Sequence, residues 1–491
     1  MNRIRAVIFD MDGVLIDSEI VYLNYQYEVL HRKYPWITRK SLFPLVGISG
    51  EEGKKYLAEV LKRNIEDPEF QQELRDLYLG CQVYYPDILR PQVQEVLVKL
   101  KNMGFQIALA SSSSLENITT VLKQCEIREY FDVIVSGEQF ERSKPDPEIY
   151  QYTMHKLSRK KEECLIIEDS TYGIQAANRA GVRVVALKDQ RFGFDQSSAD
   201  LLIEDFGKIP SIAMCGGELI KAAFFDIDGT LAEEKTHYIP ESLYTALENL
   251  SSNGIRTFLS TGRHPLEVVQ ENLIADLEFD GGIYINGQLC EYHGDTISCV
   301  QISKQSLKAL KDFLQQYSRS CIFFEENQMY TNLIDERIIE EQARIGTKVP
   351  EVKDIEHLED RTILQVIPFI TEEEEQVLME AMPDCELFRW GKSVVDVNCR
   401  VCGKDAGMKA ICKALAIRPE ETICFGDAQN DLRIIEKAGI GVAMGSAPDY
   451  VKKVADYVTG TVREDGIYKA LVHFGLICEK KKEGLCKQKR E

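Results

Sequence analysis

Two carboxylates set one residue apart, Asp10 and Asp12, close a short apolar run and precede a glycine, and the same arrangement returns 216 residues later at Asp226 and Asp228. The two stretches read AVIFDMDGVL over residues 6–15 and AAFFDIDGTL over residues 222–231. A carboxylate at the end of a strand can attack phosphorus, and a second one beside it can handle the proton of the leaving alkoxide. Asp10 and Asp226 are therefore the expected nucleophiles, and Asp12 and Asp228 the expected general acid/bases. Gly13 and Gly229 let the backbone turn sharply past the reacting group.

An anionic oxygen approaches an anionic ester only where fixed positive charge offsets the repulsion. Hard carboxylate ligands favour Mg2+. Its expected ligands are Asp10, Asp12, Glu168 and Asp169 in the first half, and Asp226, Asp228, Asp427, Asn430 and Asp431 in the second. Glu168 could instead stand behind the ligands, and Asn430 could cap the helix that follows it. A strand-end hydroxyl, Ser111 in IALAS and Thr261 in TFLST, is expected to donate to a phosphoryl oxygen, although Ser111 heads a run of four serines and a neighbour could do the same work. Lys144 in RSKPDPEIY and Lys404 in CGKDAGMKAI are the expected point cations. Arg263 in STGR has two open readings, a substrate contact or a surface group.

These groups need elements to hold them. The runs FQIALAS, FDVIVSG, CLIIED and VRVVAL in the first half, and IRTFLST, GGIYIN, TICFGD and IGVAM in the second, read as strands separated by amphipathic helical stretches. That alternation predicts an α/β class with two doubly wound parallel sheets, each carrying its site beyond the carboxyl ends of the strands. The first unit, residues 1–210, has a helical insertion over about residues 18–86. The second, residues 218–475, has one of mixed α+β character over about residues 288–392. A linker is expected near residues 206–217, and residues 476–491 read as a basic tail. From Asp10 through Ser111 and Lys144 to Asp169 the steps are 101, 33 and 25 residues; from Asp226 through Thr261 and Lys404 to Asp427 they are 35, 143 and 23. Removing the inserted segments brings the two series together, so the insertion occupies a different gap in each half.

A net charge of -20 argues against nucleic acid as the main partner. Small phosphorylated metabolites fit the site better. No apolar run is long enough to cross a bilayer, and the start lacks a signal-peptide pattern, so a cytoplasmic protein is expected, with its 14 cysteines read as reduced and mostly buried thiols. A calcium loop is excluded at Asp10 because the third ligand before the glycine is missing. The GISGEEGKKY and GIGVAMG stretches miss the spacings of nucleotide-binding loops.

The four motifs in order, twice over, resemble the haloacid dehalogenase-like (HAD) superfamily. The first half resembles its beta-phosphoglucomutase-like group and the second its Cof-type group, with GDAQND close to the usual GDxxND ending. The resemblance implies Mg2+-dependent hydrolysis of small organic phosphates through an aspartyl-phosphate, with one site per domain. Sugar phosphomutases of the first group carry a Lys and an Arg in the cap loop; here LVGISG places Val46 and Gly50 there, and Tyr22 stands at the position of a cap-proximal His. Those departures favour a hydrolase in the first half. A phosphomutase there, or a half that only binds and regulates, are the alternatives.

Overall fold

The computed structural model describes residues 4–46, 50–345, 347–389 and 391–477. The chain divides into two compact units, Met1–Leu219 and Ile220–Glu491.

In the first unit six strands form one parallel sheet: β1 (Ala6–Phe9), β2 (Gln106–Ser111), β3 (Val133–Ser136), β4 (Cys164–Glu168), β5 (Arg183–Leu187) and β6 (Leu201–Ile203). They lie in the order β3-β2-β1-β4-β5-β6, so the order reverses at β1. Every residue of β1 is buried, as a central parallel strand covered on both faces requires. The reversal opens a crevice at the carboxyl ends of β1, β2 and β4, where chain leaving neighbouring strands diverges. Helices Ser18–Lys33, Gly50–Val60 and Pro68–Leu79 make the insertion, which has its own core of Leu23, Leu30, Leu57, Phe70 and Leu74. Val46 packs into that core. Residues 47–49 of the LVGISG stretch lie outside the described residues, as do residues 478–491 of the basic tail.

The second unit repeats the plan with additions. Strands β7 (Ala222–Phe225), β8 (Arg256–Ser260), β9 (Gly281–Tyr284), β10 (Leu289–Tyr292) and β11 (Asp295–Cys299) are followed by β12 (Cys321–Glu325), β13 (Gln328–Thr331), β14 (Gln365–Pro368), β15 (Cys385–Arg389) and β16 (Val395–Cys399). Then come β17 (Thr422–Gly426), β18 (Ile440–Ala443) and β19 (Tyr457–Val458). The main sheet runs β11-β10-β9-β8-β7-β17-β18-β19, with β10 and β11 antiparallel, and a separate antiparallel sheet β13-β12-β14-β16-β15 forms the insertion.

Three expectations change. The segment 206–217 is no linker: Phe206–Lys208 and Ile209–Met214 are helical, Ile209, Ile212 and Ala213 are buried in the first unit's core, and the Phe206 ring stacks on Phe9 with centroids 6.0 Å apart. Pro210, which reads as a breaker, sits in the first turn of that helix, where its missing N–H costs nothing. The second insertion starts later and ends later than 288–392, because β10 and β11 hairpin onto the main sheet and β16 returns only at Cys399. The tail begins later too, since Leu476 and Ile477 are buried.

The described cysteines are all free. Cys399 and Cys402 are a C-x-x-C at the end of β16, both buried, with the Cys402 amide donating to the Cys399 carbonyl at 2.9 Å. No helix among the described residues is long and apolar enough to cross a membrane.

Candidate active sites

In each unit the first aspartate of the pair follows the central strand directly, and a lysine distant in sequence meets it, Lys144 from a turn and Lys404 from a helix start. Lys144 Nζ lies 2.5 Å from Asp10 Oδ1 and 2.7 Å from Glu168 Oε1, and donates to the Ala110 carbonyl at 3.2 Å. Lys404, the first residue of the helix Lys404–Ala414, reaches Asp226 Oδ1 and Asp431 Oδ1, both at 2.7 Å. Both ammonium groups are buried. Burial alone would lower a lysine's pKa, but the two facing carboxylates outweigh it and hold Lys144 and Lys404 well above the usual range. Each therefore stays charged.

The acidic groups gather as well. Asp10, Glu168 and Asp169 each offer an oxygen within 4.8 Å of the others, and Asp226, Asp427 and Asp431 do the same. Burial, with Glu168 and Asp12 adding to it and Lys144 opposing, pushes Asp10 up to about 7. Burial also pushes Asp226 up to about 8 and Asp427 to about 7, and raises Asp169 well above the carboxylate range. Such sites keep protons unless a cation takes their place. Asp427 Oδ1 is buried with no hydrogen-bond partner, an orphaned acceptor that a hard cation would satisfy. Gly13 and Gly229, at φ of 79° and 81°, lie against Asp169 and Asp427 so closely that any Cβ would fill the carboxylate's place. The donor set and the cradle fit a hard divalent cation.

These shifts fix a sign for the metal-free protein. The folded carboxyls hold protons that the unfolded chain, with values near 4, releases; their contribution to stability is complete below that value and is lost as pH rises through about 7 to 8. Thermal melts in chelator should show Tm falling across that window, and added Mg2+ should remove the fall. A Tm that is flat in chelator would refute it.

The cluster members do not have equal freedom. Glu168 Oε1 accepts from Lys144 Nζ and from Tyr150 Oη at 2.6 Å, while Oε2 accepts from the amides of Asp169 at 3.0 Å and Ser170 at 3.3 Å. Its lone-pair directions are taken. Asp431 repeats the pattern: Oδ1 takes Lys404, and Oδ2 takes the amides of Asp427 at 3.1 Å and Ala428 at 3.0 Å. These two carboxylates hold the lysine and the turn, whereas Asp169 and Asp427 lie against Gly13 and Gly229. They come from different chain positions. Glu168 precedes Asp169 directly, whereas Asp431 follows Asp427 by four residues, and a glycine stands at the vacated position in each unit: Gly426 before Asp427 and Gly173 four after Asp169. A Cβ on Gly173 would overlap the Glu168 carboxylate, and one on Gly426 would overlap that of Asp431. Carboxylate and glycine have exchanged places between the units.

Asp12 and Asp228 stand outside both clusters. The Asp12 carboxylate accepts from Ser18 Oγ at 2.6 Å and Ser113 Oγ at 2.8 Å, with Ser111 Oγ more distant at 3.5 Å. Asp228 is held by Arg263, whose Nε lies 3.1 Å from Oδ2. Of the two readings of Arg263, a substrate contact or a surface group, neither describes this contact. Ser111 and Thr261 are buried at their strand ends, and each hydroxyl accepts the amide two residues on, from Ser113 and Arg263, both at 3.0 Å. Asn430 is exposed and gives its amide to Asn286 Oδ1 at 3.0 Å, while Asp431 occupies the N-cap of the following helix. Tyr22 Oη lies 3.3 Å from Tyr85 Oη.

Sequence reasoning missed Ser18, Tyr150 and Arg90, whose Nε donates to the Gly13 carbonyl at 2.8 Å. Ser113 was visible in the serine run. For Tyr150 the signal was a polar aromatic inside the apolar face that follows KPDP.

A sequence profile of haloacid dehalogenase-like hydrolases matches residues 223–471, and a second profile of the same description matches residues 7–187. Among proteins of similar sequence, YkrA of Bacillus subtilis (strain 168) is 32% identical over 258 residues, which is 52% of this chain and 98% of that protein. A phosphorylated carbohydrates phosphatase of Thermotoga maritima is 32% identical over 180 residues, 36% of this chain and 82% of that one. Among solved structures, the HAD subclass IIB sugar phosphatase BT4131 is 37% identical and aligns with 52% of this chain and 100% of its own, at a TM-score of 0.46.

Proposed function

The chain belongs to the haloacid dehalogenase-like hydrolases and is a phosphoric monoester hydrolase, and from that premise we propose that it is bifunctional, with an independent Mg2+-dependent site in each unit that works through an aspartyl-phosphate. The observation that carries this reading is the buried lysine bound to the first aspartate of each pair, Lys144 on Asp10 and Lys404 on Asp226. A lysine so placed fixes the carboxylate's orientation and offsets its charge as the phosphate dianion arrives.

Asp10 Oδ attacks phosphorus, forming the new P–O bond as the bond to the ester oxygen breaks. Asp12, kept in place by Ser18 and Ser113, gives its proton to that oxygen, and the alcohol leaves. Water then attacks the aspartyl-phosphate, Asp12 takes the water's proton, and inorganic phosphate departs with Asp10 restored. In the second unit Asp226 and Asp228 play these parts, with Arg263 bracing Asp228. Ser111 and Thr261 close the phosphoryl pocket at the neighbouring strand ends. Mg2+, held by Asp10 and Asp169 or by Asp226 and Asp427, would supply the positive charge that neutralises the phosphoryl oxygens.

The substrates are small phosphorylated metabolites, sugar phosphates or phosphorylated cofactor precursors; the phosphorylated carbohydrates phosphatase among the relatives supports this class. Val46, at a position where a phosphomutase needs a cation, is an apolar side chain packed inside the insertion's core, which favours hydrolysis over transfer in the first unit.

Beryllofluoride, which binds aspartate carboxylates as a phosphoryl mimic, tests the reading. Calorimetric titration in Mg2+ should find two equivalents per chain, one after Asp10→Asn, and none in chelator. A full-length stoichiometry of one would overturn the two-site reading.

A further inference from the structure

A fully buried tyrosine needs a partner for its hydroxyl, and in the first unit that partner is the group that holds the catalytic lysine. Tyr150 lies in the helix Glu148–Leu157 with no exposed surface, packed in the apolar layer with Ile8, Ile166 and Ile174. Its hydroxyl donates to Glu168 Oε1 at 2.6 Å, the same oxygen that receives Lys144 Nζ. Its ring lies beneath that ammonium, with Nζ 4.9 Å from the centroid. One side chain therefore touches the lysine through its π-face and the lysine's counter-ion through its hydroxyl. Phenylalanine would fill the same space, so packing accounts for the ring and leaves the oxygen unexplained.

We propose that Tyr150 is a positioning residue for the first unit: by sharing Glu168 Oε1 it stops that carboxylate from drawing Lys144 away from Asp10. Lys144 sits between two carboxylate oxygens at nearly equal distances, 2.5 Å and 2.7 Å. A phenolic donor on the Glu168 side weakens the pull from that side and leaves more of the ammonium's charge on Asp10. Without the hydroxyl, Oε1 keeps only the lysine, and the balance shifts toward Glu168. The second unit holds its lysine without this device. Asp431 receives Lys404 and two backbone amides, and the lysine lies 2.7 Å from each carboxylate. The inference rests on Lys144 and Asp10 acting as described above.

The test uses the full chain carrying Asp226→Asn, so that phosphate release from an aryl phosphate reports the first unit. In that background Tyr150→Phe keeps the ring and removes the oxygen, whereas Tyr150→Leu removes both. Turnover is divided by the sites counted with beryllofluoride, so that any unfolded fraction drops out. The expected result is a kcat about tenfold lower in Tyr150→Phe with KM changed less than about twofold, and little further loss in kcat on going to Leu. A Phe variant within about twofold of the parent in kcat, with only Leu impaired, would mean that Tyr150 serves packing alone and would overturn the proposal. A loss in the Phe variant that appears in KM alone would overturn it too, since a shifted lysine acts on the step at phosphorus. Asp10→Asn in the same background separates the two levels: release that survives it sinks the first unit's site, while release that vanishes with it and ignores the Phe change sinks only Tyr150.

Discussion

A chain carrying Asp226→Asn is expected to keep the phosphate release of its first unit and to lose that of its second by about a thousandfold or more, and Asp10→Asn is expected to do the reverse. The amide has almost the shape of the carboxylate and still accepts from the lysine, so the fold around it has no reason to move. What it lacks is the anionic oxygen that attacks phosphorus. Stability should not suffer, because burial already disfavours the charged form, pushing Asp10 up to about 7 and Asp226 to about 8. Metal-free melts of both variants should therefore match or exceed the parent above neutral pH. Release from an aryl phosphate, measured for each single variant and for the pair, separates the readings. Residual activity in both singles and none in the double fits two independent sites. Complete loss in either single would show that the units cannot act alone, and no loss in one of them would make that unit a binding module.

What the sequence made legible follows from where these groups sit. Asp10 and Asp226 end central strands that are apolar throughout, so each appears as a sudden carboxylate after a hydrophobic run, and a duplicated run doubles the signal. Ser111, Thr261, Glu168 and Asp427 close neighbouring strands and show up the same way, so the spacings between them are legible in each half. Other features were settled by contacts between distant residues. Whether CEY at residues 290–292 joins the main sheet or the inserted one depends on its pairing with β9, which local pattern does not encode. The segment at Pro210 has turn-like composition, yet the apolar layer beside Phe9 takes its Ile209 and Ile212 and makes it a helix. An acidic pair at a strand end allows Glu168 two readings, a ligand or a group that stands behind the ligands. Only the turn geometry shows that five donors already surround it, and only the fold brings Tyr150 to its oxygen.

The exchange of carboxylate and glycine between the units supports the second large prediction. The lysine needs a second carboxylate opposite the nucleophile, and that carboxylate needs the two turn amides; either of two chain positions can supply it, provided the other is vacant. Gly173→Ala puts a methyl group into the place of the Glu168 carboxylate, which is buried and cannot step aside into water, so the first unit should lose activity by about a hundredfold or more and melt several degrees lower. Gly426→Ala should do the same to the second unit through Asp431. Asp431→Gly leaves Lys404 buried with Asp226 as its one remaining carboxylate, and Gly426→Glu alone crowds two carboxylates into one place. Combined, Gly426→Glu and Asp431→Gly rebuild in the second unit the arrangement that the first unit has at Glu168 and Gly173. Both singles should lack second-unit activity, measured in an Asp10→Asn background, while the double variant should recover at least about tenfold over either one. Losses that simply add in the double variant would mean that the two positions do not serve one role. In that event the resemblance between the lysine cradles would be one of shape, without the shared task of holding Lys404 and the metal-side turn together.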